Sequence, residues 1–125
     1  MKIRFASFFL VLGLALALAI PTFSVRAQTY PSKSIKIIVG YPPGGSTDVP
    51  ARIVGQKLAE VLGQSVVIEN KPGASGNIGA ELAARAAPDG YTIFWVSIGT
   101  AVSASLFPSL SYNLSKDFIA VSQAT

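Results

Sequence analysis

The sequence predicts an α/β fold built on a parallel sheet with flanking helices. Three observations predict it: short β-branched runs recur along the chain, segments of helical periodicity separate them, and a loop rich in Gly, Ser, Thr and Asn follows each run. Strands alternating with helices of about ten to fifteen residues are joined by right-handed crossovers, which lay the strands side by side and parallel.

The chain has 125 residues and opens on a segment of different character. Lys2 and Arg4 precede an uncharged, mostly apolar stretch over residues 5–20, Pro21 interrupts it, and Val25-Arg26-Ala27 places small residues where a processing enzyme requires them. This is the layout of a secretory signal peptide over residues 1–27, cleaved after Ala27. A membrane anchor is the competing reading, but the apolar stretch would reach only about 24 Å as a helix, against a hydrocarbon core of roughly 30 Å. Residues 28–125 are expected to form the N-terminal part of a larger domain.

The first element of that part is a strand over residues 35–40, Ile-Lys-Ile-Ile-Val-Gly, followed by the loop Tyr41-Pro-Pro-Gly-Gly-Ser-Thr-Asp48. Val49, Ile53, Val54, Leu58, Val61 and Leu62 then recur at helical spacing and are expected to face the core. Gln56, Lys57, Glu60 and Gln64 take the other face, and Gly63 supplies a left-handed stop. A second strand over residues 65–69 leads into the loop Asn70-Lys-Pro-Gly-Ala-Ser-Gly76. Residues 77–87 form an alanine-rich helix that Pro88-Asp89-Gly90 breaks. The third strand, residues 91–97, is apolar enough to be buried on both faces. A short helix over 99–106, turn chemistry over 107–113 and the start of a fourth strand over 118–122 complete the pattern.

Composition excludes several classes of function. The chain has no cysteine and no histidine, which removes thiolate nucleophiles, Cys-ligated metals, disulfide scaffolds and the Ser-His-Asp triad. The formal charge of +4 belongs mostly to the signal: without Lys2, Arg4 and Arg26, seven basic side chains face six acidic ones, a net of +1. Lys33, Lys36, Arg52, Lys57, Lys71, Arg85 and Lys116 form no cluster, so nucleic acid is not an expected partner. Gly73, Gly76 and Gly79 are spaced GxxGxxG and not GxGxxG, and no P-loop sequence occurs. No nucleotide or other cofactor is therefore expected.

In parallel α/β sheets ligands bind beyond the carboxyl ends of the strands. Three loops leave those ends here, over residues 41–48, 70–77 and 97–101. Gly44 and Gly45 allow backbone amides to approach a ligand closely, and Ser46, Thr47 or Asp48 can cap the helix that follows. A helix N-terminus carries about half a positive charge and suits an anion. The same residues also describe an ordinary strand-to-helix turn. Asp48 has no matched acid or histidine nearby, so it reads as a cap before it reads as a catalytic carboxylate.

Three longer blocks carry more information. Tyr41-Pro-Pro-Gly-Gly-Ser-Thr-Asp48 with Ala51-Arg52 after it, Glu69-Asn-Lys-Pro-Gly-Ala-Ser-Gly-Asn-Ile-Gly-Ala80, and Ala86-Ala-Pro-Asp-Gly-Tyr-Thr92 resemble, in order and spacing, the substrate-binding proteins of tripartite tricarboxylate transporters, the Bug or TctC family. The resemblance implies a periplasmic receptor with the two-lobed type II periplasmic-binding-protein (Venus-flytrap) fold. Such a receptor closes around a small organic acid and presents it to the permease subunits of a tripartite tricarboxylate transporter in the membrane.

The resemblance also implies how the acid is held: through backbone amides, hydroxyls and bridging waters of the loops. On this chain those positions are Gly44, Gly45, Ser46, Thr47, Asp48, Gly76 and Asn77, with Ser97, Gly99 and Thr100 from the third loop. No catalytic residue and no metal ligand is implied. Family members carry a second lobe, so residues 28–125 read as part of the first lobe, truncated and unable to act alone. Two other readings stay open. Turnover of a small substrate would favour an exported enzyme working with Ser, Asp, Glu, Tyr or Lys, and a defined oligomer without a small-molecule ligand would favour an exported interaction domain.

Overall fold

The β-branched run of the first strand takes the centre of the sheet in the computed structural model, which describes residues 29–107 and 109–124. The expected signal peptide lies outside the described residues. Strand β1 (Ile35–Val39) is flanked by β2 (Val66–Asn70) and β3 (Thr92–Trp95) in the order β2-β1-β3, with both pairings parallel. A strand hydrogen-bonded on both sides must be covered on both faces, and Ile35, Ile37, Ile38 and Val39 are all buried. Val39 pairs with both Asn70 and Trp95, so the three strands end at one rim.

Helix α1 (Asp48–Leu62) joins β1 to β2 across one face of the sheet. The next connection passes back over β1 to reach β3, and a right-handed crossover in that direction needs the opposite face. Helix α2 (Asn77–Ala84) lies there. Ala51 of α1 packs with Ile37, Val39, Ile68, Ile93 and Trp95, whereas Leu82 of α2 shares a cleft with Lys36, Ile38 and Thr92. The three layers are helix, sheet and helix, as the sequence predicts.

The buried face of α1 differs from the expected one. Asp48, Ala51 and Gly55 are its buried residues, while Val49, Ile53, Val54 and Val61 are exposed, Val61 to 82%. Small residues allow the helix axis to approach the sheet: a Cβ on Gly55 would lie 3.0 Å from Ile68 Cδ1. The branched side chains would hold the helix further off, so they point away. The end of α1 is as expected, with Gly63 at φ 64° and its N–H donating to Ala59 O.

Strand β3 is also less buried than its composition predicts. It is an outer strand, and all four of its residues are half-buried. Ile93 and Trp95 pack against the core beside α1, while Phe94, on the other face, meets the ring of Phe118 at 5.7 Å between centroids. The fourth strand expected over residues 118–122 is not formed. Phe118 is anchored by Phe94 and Tyr112, but residues 118–124 make no ladder with β3. Ile119 and Val121 are 93% and 83% exposed. An extended segment without a hydrogen-bonded neighbour has no ladder to hold it as a strand.

Helix α2 stops at Ala84, three residues before the expected limit, where the N–H groups of Arg85 and Ala86 turn back to Glu81 and Ala83. Helix α3 (Ile98–Leu106) starts one residue earlier than expected because Ser97 caps it, its Oγ accepting from Thr100 N at 3.2 Å. At the opposite rim, where the strands begin, Tyr30 Oη donates to Gly90 O at 2.7 Å and Lys33 pairs with Asp89.

Candidate functional site

The three loops that leave β1, β2 and β3 meet at one rim, and the link between them is a residue the sequence did not single out. Tyr41 follows β1. Its hydroxyl donates to Ser75 O in the second loop at 3.0 Å and accepts from Ser97 Oγ in the third, also at 3.0 Å. A second link lies beneath it. Asn70 Nδ2 donates to Tyr41 O at 2.9 Å and to Asp48 Oδ1 at 2.8 Å.

Asp48 anchors this lower layer. Its side chain is 1% exposed, and Oδ2 accepts from Gly44 N at 2.8 Å and from Arg52 Nε at 2.7 Å. Arg52 also donates to Asn70 Oδ1 at 2.9 Å. Thr47 occupies the cap position of α1 without a side-chain cap bond. Asp48, named above both as a cap and among the ligand contacts, instead ties the first loop to α1 and to the end of β2. Both of its oxygens are used in doing so.

The Arg52 hydrogen bond, then those from Gly44 and Asn70, hold the Asp48 carboxyl well below the usual carboxylate range, against the opposing effect of burial. A depressed folded pKa contributes stability above the unfolded value, near 3.8, and that contribution is lost as pH falls through the folded one. The melting temperature is therefore expected to fall below about pH 4. Asp48→Asn should lower it by roughly 10 °C at neutral pH and shorten that acid limb. Glu69 and Asp89 are also lowered, by Lys36 with Lys71 and by Lys33, so the difference between variant and parent isolates Asp48. Identical acid limbs in melts at stepped pH would remove Asp48 from this role.

The expected backbone donors divide into two groups. Gly44 N is taken by Asp48, Gly76 N by Gly73 O, Asn77 N by Ala74 O and Thr100 N by Ser97 Oγ. Asp48 N and Val49 N both turn to Gly45 O at 3.1 Å, and Pro50 has no N–H. The first turn of α1 is thus closed by its own chain, contrary to the expected open helix end. The amides of Gly45, Ser46, Thr47, Ser75 and Gly99 have no partner among the described residues. Gly45, Ser46, Ser75 and Gly99 are also exposed. Spare donors therefore come from the turn before α1 and from the other two loops.

The remaining candidates support these loops. Thr100 is fully buried, and its Oγ1 lies 2.5 Å from where a Cβ on Gly76 would sit. Asn77 Oδ1 accepts from Tyr112 Oη at 2.6 Å. Arg52 and Lys71, the cations next to the loops in sequence, are paired with Asp48 and Glu69. Among the described residues no group of acidic side chains could hold a metal ion. A separate open cavity of about 340 Å³ lies between α3 and residues 110–115, lined in part by Phe107, Leu110 and Tyr112.

Tyr41, Asn70 and Arg52 were not expected at the site. Arg52 reaches Asp48 at the local i, i+4 spacing of α1, but the partners that join the loops through Tyr41, Asn70 and Arg52 lie 18 to 56 residues away along the chain, where local spacing carries no trace of them. The one available signal was the pair of small residues, Gly76 and Gly99, that leave space for the Tyr41 ring.

Residues 50–125 match the model of the tripartite tricarboxylate transporter family receptors. The chain belongs to this family. It is 45% identical over 114 residues to the protein BugT of Bordetella pertussis, covering 90% of this chain and 35% of that protein. Among solved structures, MatC from Rhodopseudomonas palustris with bound malate superposes with a TM-score of 0.67 at 40% identity, over 71% of this chain and 31% of that one. An R. palustris protein solved with adipate gives a TM-score of 0.51 at 42% identity, over 52% of this chain and 22% of that one. The chain spans about a third of the length of the curated relatives it matches. The family and its solved relatives are solute-binding proteins, in accord with the absence of any expected catalytic residue.

Proposed function

We propose that the protein is a periplasmic receptor that captures a small organic acid at the three-loop rim and delivers it to the permease subunits of a tripartite tricarboxylate transporter. In this reading residues 1–27 export the chain, and residues 28–125 supply the N-terminal part of the first lobe. The observation that carries it is the convergence of three loops, tied through Tyr41, whose amides at Gly45, Ser46, Thr47, Ser75 and Gly99 have no partner among the described residues. Amide donors at fixed positions match a carboxylate without a charged side chain, and the nearby cations are already neutralised. The relatives solved with malate and with adipate support a carboxylate as the ligand class.

Magnitudes define what the loops can achieve. Each hydrogen bond to a charged group contributes about 1.5–3 kcal/mol, and micromolar capture needs about 8 kcal/mol net of ordering costs. Three or four loop donors approach that value only where water is excluded, which a second lobe closing over the ligand provides.

Titration calorimetry of the exported receptor with its second lobe, against malate, adipate, citrate and their neutral amides, tests the reading. At least one acid should bind in the micromolar range and its amide at least tenfold more weakly. Equal affinity for acids and amides, or no heat from any of them, would remove the proposal.

A further inference from the structure

We propose that Tyr41 is the positioning residue of the ligand site: its phenol holds the second loop in the left-handed conformation that presents that loop's free amide. The proposal rests on the receptor reading for its affinity readout alone. A directed chain of hydroxyls runs through the rim. Thr100 Oγ1 lies 3.1 Å from Ser97 Oγ, Ser97 donates to Tyr41 at 3.0 Å, and Tyr41 donates to Ser75 O at 3.0 Å. The Ser75 carbonyl can only accept, so the single hydrogen of Tyr41 goes to it; Ser97 must then donate to Tyr41, and Thr100 Oγ1 to Ser97. The chain therefore has one consistent direction and ends on the Ser75 carbonyl.

Ser75 is where such a hold is needed. Ala74 and Ser75 have φ of 47° and 57°, a region that side-chain-bearing residues avoid. Within the loop Gly76 N spans the turn to Gly73 O and Asn77 N reaches Ala74 O, and neither bond holds the Ser75 carbonyl. The Tyr41 hydrogen bond fixes the Ser75 carbonyl from outside the loop, and Ser75 N is left without a partner among the described residues. The ring is seated between two glycines. A Cβ on Gly76 would lie 3.1 Å from Tyr41 Cε2, and one on Gly99 would collide with the Tyr41 hydroxyl. Its position is thus set by the same three loops it connects.

Tyr41→Phe keeps the ring in its slot and removes both hydroxyl links. In the ligand-free full chain, exchange of the hydrogen-bonded amides of Gly76 and Asn77 is expected to speed up about tenfold, with little change in the core strands. The Kd for malate or adipate, whichever the parent binds, should rise about five- to tenfold. Ser97→Ala interrupts the same chain, so its affinity loss should not add to that of Tyr41→Phe. Tyr30→Phe, which loses the bond to Gly90 at the opposite rim, serves as the control and should change neither readout.

A tyrosine that only stabilises the fold would speed exchange throughout the sheet and give additive losses with Ser97→Ala, and either result overturns the proposal. Parent-like exchange at Gly76 and Asn77 in Tyr41→Phe overturns it as well. Should that variant not fold, Ser97→Ala must speed exchange at Gly76 and Asn77 by itself, and its failure to do so is equally decisive against Tyr41. If the parent binds neither acid, the receptor reading loses its support, while the exchange result still decides the role of Tyr41.

Discussion

Replacing Gly79 by valine is expected to lower the melting temperature by more than about 10 °C, a loss of about 3 kcal/mol or more. A Cβ at this position would lie 2.9 Å from Gly40 Cα, 3.2 Å from Lys71 O and 3.3 Å from Gly40 N. All three are backbone atoms, which cannot rotate out of the way. The contact is reciprocal in kind, since a Cβ on Gly40 would meet Gly76 Cα at 2.7 Å and Gly76 O at 2.8 Å. The end of β1 and the start of α2 therefore touch backbone to backbone. This contact sets the spacing of the first and second loops.

Gly63→Ala provides the comparison. Its added Cβ meets nothing within 4 Å, and its φ of 64° carries only the left-handed cost, about 1 kcal/mol. Thermal melts of the two variants beside the parent separate steric overlap from backbone conformation. A Gly79→Val protein that melts with the parent would mean that α2 does not approach β1 this closely.

Ser46→Glu is expected to weaken binding of an organic acid about a hundredfold while leaving the melting temperature unchanged or slightly higher. The two effects have opposite signs for one reason. A carboxylate just before α1 interacts favourably with the helix dipole, by about 0.3–1 kcal/mol. The same charge about 6 Å from a bound carboxylate costs roughly 3 kcal/mol at an effective dielectric near 20. Ser46 is exposed and next to the free amides of Gly45 and Thr47, so substitution disturbs no packing. Calorimetry and melts on one preparation read both quantities. Undiminished affinity for the acid would place the ligand elsewhere, whereas a large fall in melting temperature would show that Ser46 supports the fold.

The elements and their order were legible because each signal is local. β-branched runs marked the three strands within a residue or two, Gly63 marked the end of α1, and the Gly, Ser and Asn content marked the loops. The parallel arrangement followed from alternation of strand and helix, and with it the convergence of the loops at one rim. The face α1 would bury was not legible. Val49, Ile53 and Val61 offer one apolar stripe and Ala51, Gly55, Leu58 and Leu62 another; the spacing grouped Leu58 and Leu62 with the first, though both are half-buried beside the second. Proximity to the sheet selects the second, since only small side chains allow the backbone of α1 to come close.

The candidate site divided the same way. The sequence by itself determined that three polar, glycine-rich loops would meet at one rim, and it led to the expectation of an anion there. The family resemblance placed those loops among carboxylate receptors. Only the structure decided which amides are free: the donors of Gly44, Gly76 and Thr100 are consumed within their own turns, by Asp48, Gly73 and Ser97, and composition alone does not specify how each turn closes. It also decided that Asp48 is a buried anchor and that Tyr41 joins the loops. Hydrogen bonds are short-ranged and directional, so the links that Tyr41 and Asn70 make between the loops depend on neighbours brought from 18 to 56 residues away. Local periodicity records none of those neighbours.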